Sequence, residues 1–158
     1  MPNSPDRTDG RGGACVGEDP GSRTVAKDLM PMGYQVGIFE KSEQPGGLMR
    51  SNIPSFRLPE RVLDDECETI LNMGVDIRYG ASVDSLRALL DDGFDAVFVG
   101  SGAPRGKNLD IPGRYETDRI HIGIDWLESI AFGHIGSIGE KVLIIGVGNT
   151  AMDCCRTS

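Results

Sequence analysis

The stretch that most constrains this chain lies near its end. There Val142-Leu143-Ile144-Ile145 runs into Gly146-Val147-Gly148-Asn149-Thr150-Ala151 and then Met152-Asp153-Cys154-Cys155-Arg156. An apolar, β-branched run, a G-x-G-x-x-A turn and a helix-like segment together form a strand–turn–helix unit. In such a unit the first glycine permits a tight turn, and the second lets backbone approach a pyrophosphate. The small third residue lets helix and strand pack closely, and the helix N-terminus then faces the phosphates. A glycine turn alone is common, but its flanking strand and helix point this one to nucleotide binding.

The rest of the chain reads as alternating elements. Thr24 to Met32 has helical character, and Tyr34 to Phe39 alternates as a strand ending on Glu40. Gly46-Gly47 marks a loop. Pro59 suits the opening turn of a helix, with Val62, Leu63, Cys67, Ile70 and Leu71 at helical spacing and Gly74 as its stop. Val75, Ile77 and Tyr79 alternate as a strand, and Leu86, Leu89 and Leu90 belong to a short helix. Ala96-Val97-Phe98-Val99 is an apolar strand entering Gly100-Ser101-Gly102. Residues 104–122 read as an irregular connection, Ile124 to Phe132 as a helix and Val142 as the start of a last strand. The expected fold class is α/β, a parallel sheet with crossover helices. The 22 glycines and 6% aromatic residues suit such a protein, with its many tight turns, better than an aromatic-rich β-sandwich. Residues 1–13 carry no apolar periodicity and read as disordered.

Charge and composition exclude several functions. A formal net charge of −8 argues against nucleic acid or an anionic membrane as partner. No apolar run approaches the ~20 residues that cross a bilayer, and no signal-peptide pattern opens the chain. The four cysteines form no C-x-x-C pair, so neither a metal site nor a disulfide framework is expected. A reduced, cytoplasmic protein is the expectation.

A second nucleotide half-site is legible earlier in the chain. A strand-terminal acid such as Glu40 is what a dinucleotide site sets against the adenosine ribose, because a carboxylate accepts both hydroxyl protons. Its glycine turn should lie roughly 20 residues upstream, where Val16-Gly17-Glu18-Asp19-Pro20-Gly21-Ser22 stands. Gly17 fills the first glycine slot, but Asp19 and Ser22 hold the second and third. A carboxylate at Asp19 would repel a phosphate, and Gly12 to Val16 offers little to bury. This half-site is therefore expected to be impaired.

Seven motifs appear in one order: Phe39-Glu40-Lys41; Pro45-Gly46-Gly47-Leu48; Ile53-Pro54-Ser55-Phe56-Arg57-Leu58-Pro59; Gly74-Val75-Asp76-Ile77; Phe94 to Gly102; Leu109-Asp110-Ile111-Pro112-Gly113; and Gly146 to Asp153. In that order the chain, over residues 24–158, resembles the glutamate synthase small (beta) subunit family of FAD-dependent NAD(P)H oxidoreductases. That family shares its module with dihydropyrimidine dehydrogenase. The resemblance implies a Rossmann-like FAD/NAD(P)-binding fold of the pyridine nucleotide-disulfide reductase kind, here truncated. It also implies hydride transfer from NAD(P)H to FAD, with electrons leaving to an iron–sulfur or large-subunit partner protein.

Carried over by position, Glu40 would hold the FAD ribose, with Lys41 beside it. Gly46, Gly47 and Leu48 would lie along the flavin, Arg57 would contact the cofactor, and the Val83 backbone would meet the adenine. Gly17 and Gly102 would stand at the pyrophosphate side. Gly146, Gly148, Asn149, Thr150 and Ala151 would receive the phosphates of the nicotinamide nucleotide. The implied domains are a degenerate or disordered segment 1–22, a partial FAD domain 23–112 and the start of an NAD(P)H domain 113–158.

The departures are the damaged first glycine turn, the lack of a cysteine-rich cluster domain, and the absence of sequence matching the rest of the family module. They suggest a fragmentary, inactive form. A non-catalytic remnant that binds a partner subunit, and a nucleotide-binding module without redox chemistry, stay open beside it. His121 and His134 read as bystanders, Asp64-Asp65-Glu66 as a solvated helix face, and at least one of Cys154 and Cys155 as core. No Ser/His/Asp or Cys/His arrangement is evident, and flavin chemistry requires none, because the cofactor carries the redox step.

Overall fold

A computed structural model of the chain describes residues 12–158. Four strands form one parallel sheet: β1 (Gly12–Val16), β2 (Gln35–Phe39), β3 (Asp76–Arg78) and β4 (Ala96–Val99). Their order is β3-β2-β1-β4, with Ala14 opposite Gly37 on one side and Val97 on the other. The chain leaves β1 toward β2 and β3, then returns to place β4 on the opposite side of β1. The sheet order thus reverses between β1 and β4, the point beyond which α/β sheets bind ligands at their carboxyl ends. The Rossmann-like α/β expectation holds.

The helices are α1 (Pro20–Leu29), continued by a 3₁₀ turn at Met30–Met32, then α2 (Gly47–Asn52), α3 (Glu60–Leu71), α4 (Leu86–Asp91), α5 (Gly123–Ala131) and α6 (Asn149–Thr157). In α3 the residues Leu63, Cys67 and Ile70 recur at helical spacing and are buried, while Asp64, Asp65 and Glu66 face solvent.

The chain divides into two compact units. One runs through Gly47 and then from Arg61 to Gly102; the other takes Leu48–Glu60 and Ala103–Ser158. The first contains the sheet, and its core gathers Cys15, Ala26, Val36, Ile38, Ile70 and Val75. The second packs α5 against α6, with Trp126, Leu127 and Cys154 at its centre and Ile130, Ile135, Ile138 and Ile144 around them. Gly123 lets these two helices meet, since a Cβ there would lie 3.2 Å from the Cys154 sulfur.

Two expectations are corrected. The segment 1–22 is expected to be disordered or degenerate, and the structure departs only from the disorder, and only from Gly12 onward. Residues 1–11 lie outside the described residues, but from Gly12 the chain is the central strand, paired on both sides. Its low apolar content is no handicap there, because the small residues Ala14 and Cys15 are almost wholly buried between neighbouring elements. The apolar run Val142–Ile145, in contrast, is not a strand. No neighbouring strand among the described residues offers it a hydrogen-bond ladder, and Leu143 is 87% exposed.

Candidate nucleotide site

The first bend, in the sheet-bearing unit, follows β1. Gly17 has φ 91°, a region that favours glycine, and a Cβ there would fall 2.3 Å from the Gly100 carbonyl oxygen. Its amide donates to the Phe39 carbonyl at 2.8 Å, and the Gly100 amide donates to Val16 at 2.8 Å. The carboxyl ends of β1, β2 and β4 are thereby drawn together around a glycine that no other residue could replace without displacement.

Three carboxylates gather at this bend. Glu40, at the end of β2, is buried and accepts from the Glu18 and Ser42 amides at 2.6 Å each. A carboxylate has about four lone-pair positions, so two stay available to a donor such as a ribose hydroxyl. Glu18 is almost wholly buried, paired with Arg23 Nε at 2.6 Å and accepting from the Gly46 amide at 2.5 Å. Burial opposes the charge on Arg23, but the hydrogen bond and charge of Glu18 more than offset it and hold its pKa above the ordinary value. Asp19 is the N-cap of α1, accepting from the Ser22 amide at 3.0 Å. Burial, with the charges of Glu18 and Cys67, pushes the nearby Tyr79 phenol up to about 12, and burial together with Asp19 lifts the Cys15 thiol to about 11.

The structure brings Gly17, Glu40, Gly46 and Gly47 together at this bend. A Cβ on Gly47 would lie 3.3 Å from the Glu18 carbonyl oxygen. Lys41 is exposed, and Val83 is half-buried after β3. Gly102, with φ 63°, follows β4 and is exposed. Leu48 and Arg57 fall in the other unit. There Arg57 donates to Asp153 Oδ2 on α6 at 2.5 Å, so its guanidinium is engaged by this helix. Phe56 supports the same helix through Arg156, whose guanidinium lies 3.8 Å from the ring centroid.

The second bend is open. Gly146 has φ 140°, and a Cβ there would press within 3.3 Å of Ala151. Gly148 is the N-cap of α6, no side-chain hydrogen bond caps it, and beyond its chain neighbours no described residue comes within 4 Å of its would-be Cβ. The first helical bond runs from the Met152 amide to Gly148, which leaves the amides of Asn149, Thr150 and Ala151 for a ligand. Val147, on the crest, is 95% exposed. These residues fit a dinucleotide diphosphate: a Cβ-free approach, three amides and the positive end of a helix. The first bend fits the ribose side of one, but its Ser22 amide already holds Asp19.

Spacing reasoning missed Glu18, Arg23 and Asp153. The available signal was an acid inside a glycine turn with an arginine five residues on. Cys154 is buried while Cys155 is exposed. Among the described residues no group of three or more His, Cys, Asp or Glu could hold a metal. No described helix is long and apolar enough to cross a membrane.

No protein-family model matches the chain. Among curated proteins it is 33% identical to the glutamate synthase (NADPH) small chain of Mycobacterium tuberculosis, over 99% of this chain and 35% of that protein. It is 37% identical to a PreT homologue, a subunit of NAD-dependent dihydropyrimidine dehydrogenase, from Salmonella typhi, over 91% of this chain and 35% of that protein. Against the beta subunit of an NADPH-Fe(3+) oxidoreductase from Geobacter sulfurreducens it is 34% identical, over 92% of this chain and 22% of that one. The chain thus spans about a third or less of the length of these relatives. Among solved structures, Mycobacterium tuberculosis FprA in complex with NADPH superimposes with a TM-score of 0.77 at 22% identity, over 92% of this chain and 36% of FprA. The resemblance read from the motifs therefore holds, and with it the fold.

Proposed function

We propose that this chain is part of an FAD-dependent NAD(P)H oxidoreductase module of the glutamate synthase small-subunit type, the part that holds dinucleotides between which a hydride passes. The observation carrying this reading is the open bend at Gly146–Ala151, where three amides stand at an uncapped helix end. Gly146 and Gly148 would admit the diphosphate of the nicotinamide nucleotide, and Asn149, Thr150 and Ala151 would bind it. Gly17, Glu40, Gly46 and Gly47 would hold the FAD, with Gly102, Lys41, Leu48, Arg57 and the Val83 backbone assigned to it by position. When bound, the two cofactors supply the redox chemistry, and the chain's residues bind and orient them. Arg57, through Asp153, fixes α6 and so the direction in which its amides point.

The relatives are named as subunits or chains, which supports an acceptor subunit as partner, an iron–sulfur or large-subunit protein. Since the chain spans about a third of their length, we propose binding rather than turnover for these 158 residues alone. A second reading, a non-catalytic partner-binding piece, is favoured by the outer edge of β4, whose Val99 is half exposed.

The test is calorimetric titration of the chain with NADPH, NADH and FAD, each competed with ADP-ribose. Saturable binding displaced by ADP-ribose is expected for at least one nicotinamide nucleotide. Failure to bind any dinucleotide would overturn the proposal and leave the partner-binding reading.

A further inference from the structure

Asp19 occupies the position at which a dinucleotide turn needs to be bare. Its Oδ1 accepts from the Ser22 amide at 3.0 Å, and among the described residues no cation pairs with it. The same oxygen lies 3.2 Å from the would-be Cβ of Gly21 and 2.8 Å from that of Gly100. The Ser22 hydroxyl lies 2.6 Å from that same point at Gly100. Ser22 is completely buried, and among the described residues its hydroxyl has no hydrogen-bond partner. Glu18 and Glu40 differ from Asp19. The first is matched by Arg23, and the second faces two amides at the ribose side.

We propose that the Asp19 carboxylate is a resident anion at the N-terminus of α1. It competes with the diphosphate of a flavin dinucleotide for the Ser22 amide and makes FAD binding weak and exchangeable. This rests on the reading of the first bend as a dinucleotide site. Two negative groups cannot share one helix end without repulsion, and the positive end of α1 is already offset by its own cap. The buried Ser22 hydroxyl lies against the same point at Gly100 as the Asp19 carboxylate, so a donor without a partner among the described residues sits beside the group that would have to turn away.

Asp19→Asn keeps the size and the capping ability of the side chain but removes its charge. Asp19→Gly also restores the bare second glycine slot. The full chain and both variants are titrated with FAD at low salt and at 0.5 M NaCl, on the order of a 4–5 Å Debye length. Both variants are expected to tighten FAD binding at least tenfold at low salt, and the advantage of Asp19→Asn is expected to shrink at high salt. Equal affinity in all three proteins, or no FAD binding by any of them, overturns the proposal. Binding of NADPH and of NADH, assigned to the bend at Gly148, is measured on the same samples. If it persists while the FAD expectation fails, only the assignment to Asp19 falls. If it is lost as well, the dinucleotide reading falls with it.

Discussion

Gly17 shows how much one residue carries at the first bend. An alanine there would meet the Gly100 carbonyl and adopt a backbone conformation that L-residues avoid. Gly17→Ala is expected to cost roughly 2–5 kcal/mol, the sum of strain and overpacking, read as a lower urea midpoint. The same region is expected to make stability sensitive to alkali. Cys15 and Tyr79 have folded pKa values raised to about 11 and about 12, from ordinary values of 9.0 and 10.0. Groups raised in this way favour the folded state below the ordinary values. Stability is expected to fall as pH climbs from 9 to 12, because the unfolded chain releases those protons first. Circular dichroism in urea across that range checks this, and Cys15→Ala should flatten the part between 9 and 11. At this scale the sequence made Gly17 and Glu40 legible, because their separation of 23 positions is a property of the turn and strand. It left Glu18 silent, since spacing says nothing about which way a carboxylate turns.

Elements were legible where they bury a periodic face. Helices α3 and α5 and strands β2 and β4 stand within a residue or two of where apolar spacing sets them. The two misread elements share a cause. β1 has few large apolar groups but two partners, whereas Val142–Ile145 is strongly apolar and has none among the described residues; pairing decides strand formation, and pairing is non-local. Helix α6 is held by Arg57 acting on the buried Asp153. Arg57→Met removes that charged hydrogen bond and is expected to destabilise the second unit by about 1–3 kcal/mol. Trp126 is the only tryptophan and lies in the core of that unit, so its fluorescence during thermal unfolding reads the change directly.

At the scale of the whole chain, sequence order foretold a parallel sheet followed by a second glycine bend that opens a helix. It did not foretell that Leu48–Glu60 would join Ala103–Ser158, because that grouping arises from contacts such as Asn52 with the Ile124 carbonyl and Arg57 with Asp153, far apart in sequence. The functional reading rests on the helix end at Gly148. That position has an extended backbone and open space, so a side chain there leaves the fold intact while placing bulk and charge where a diphosphate must come. The most direct measurement is calorimetric titration of NADPH and of NADH into the native chain and into Gly148→Asp, with melting curves for both. Saturable binding by the native chain, weakened at least tenfold in the variant with an unchanged melting curve, is the predicted result. Equal affinity in the two would contradict the account.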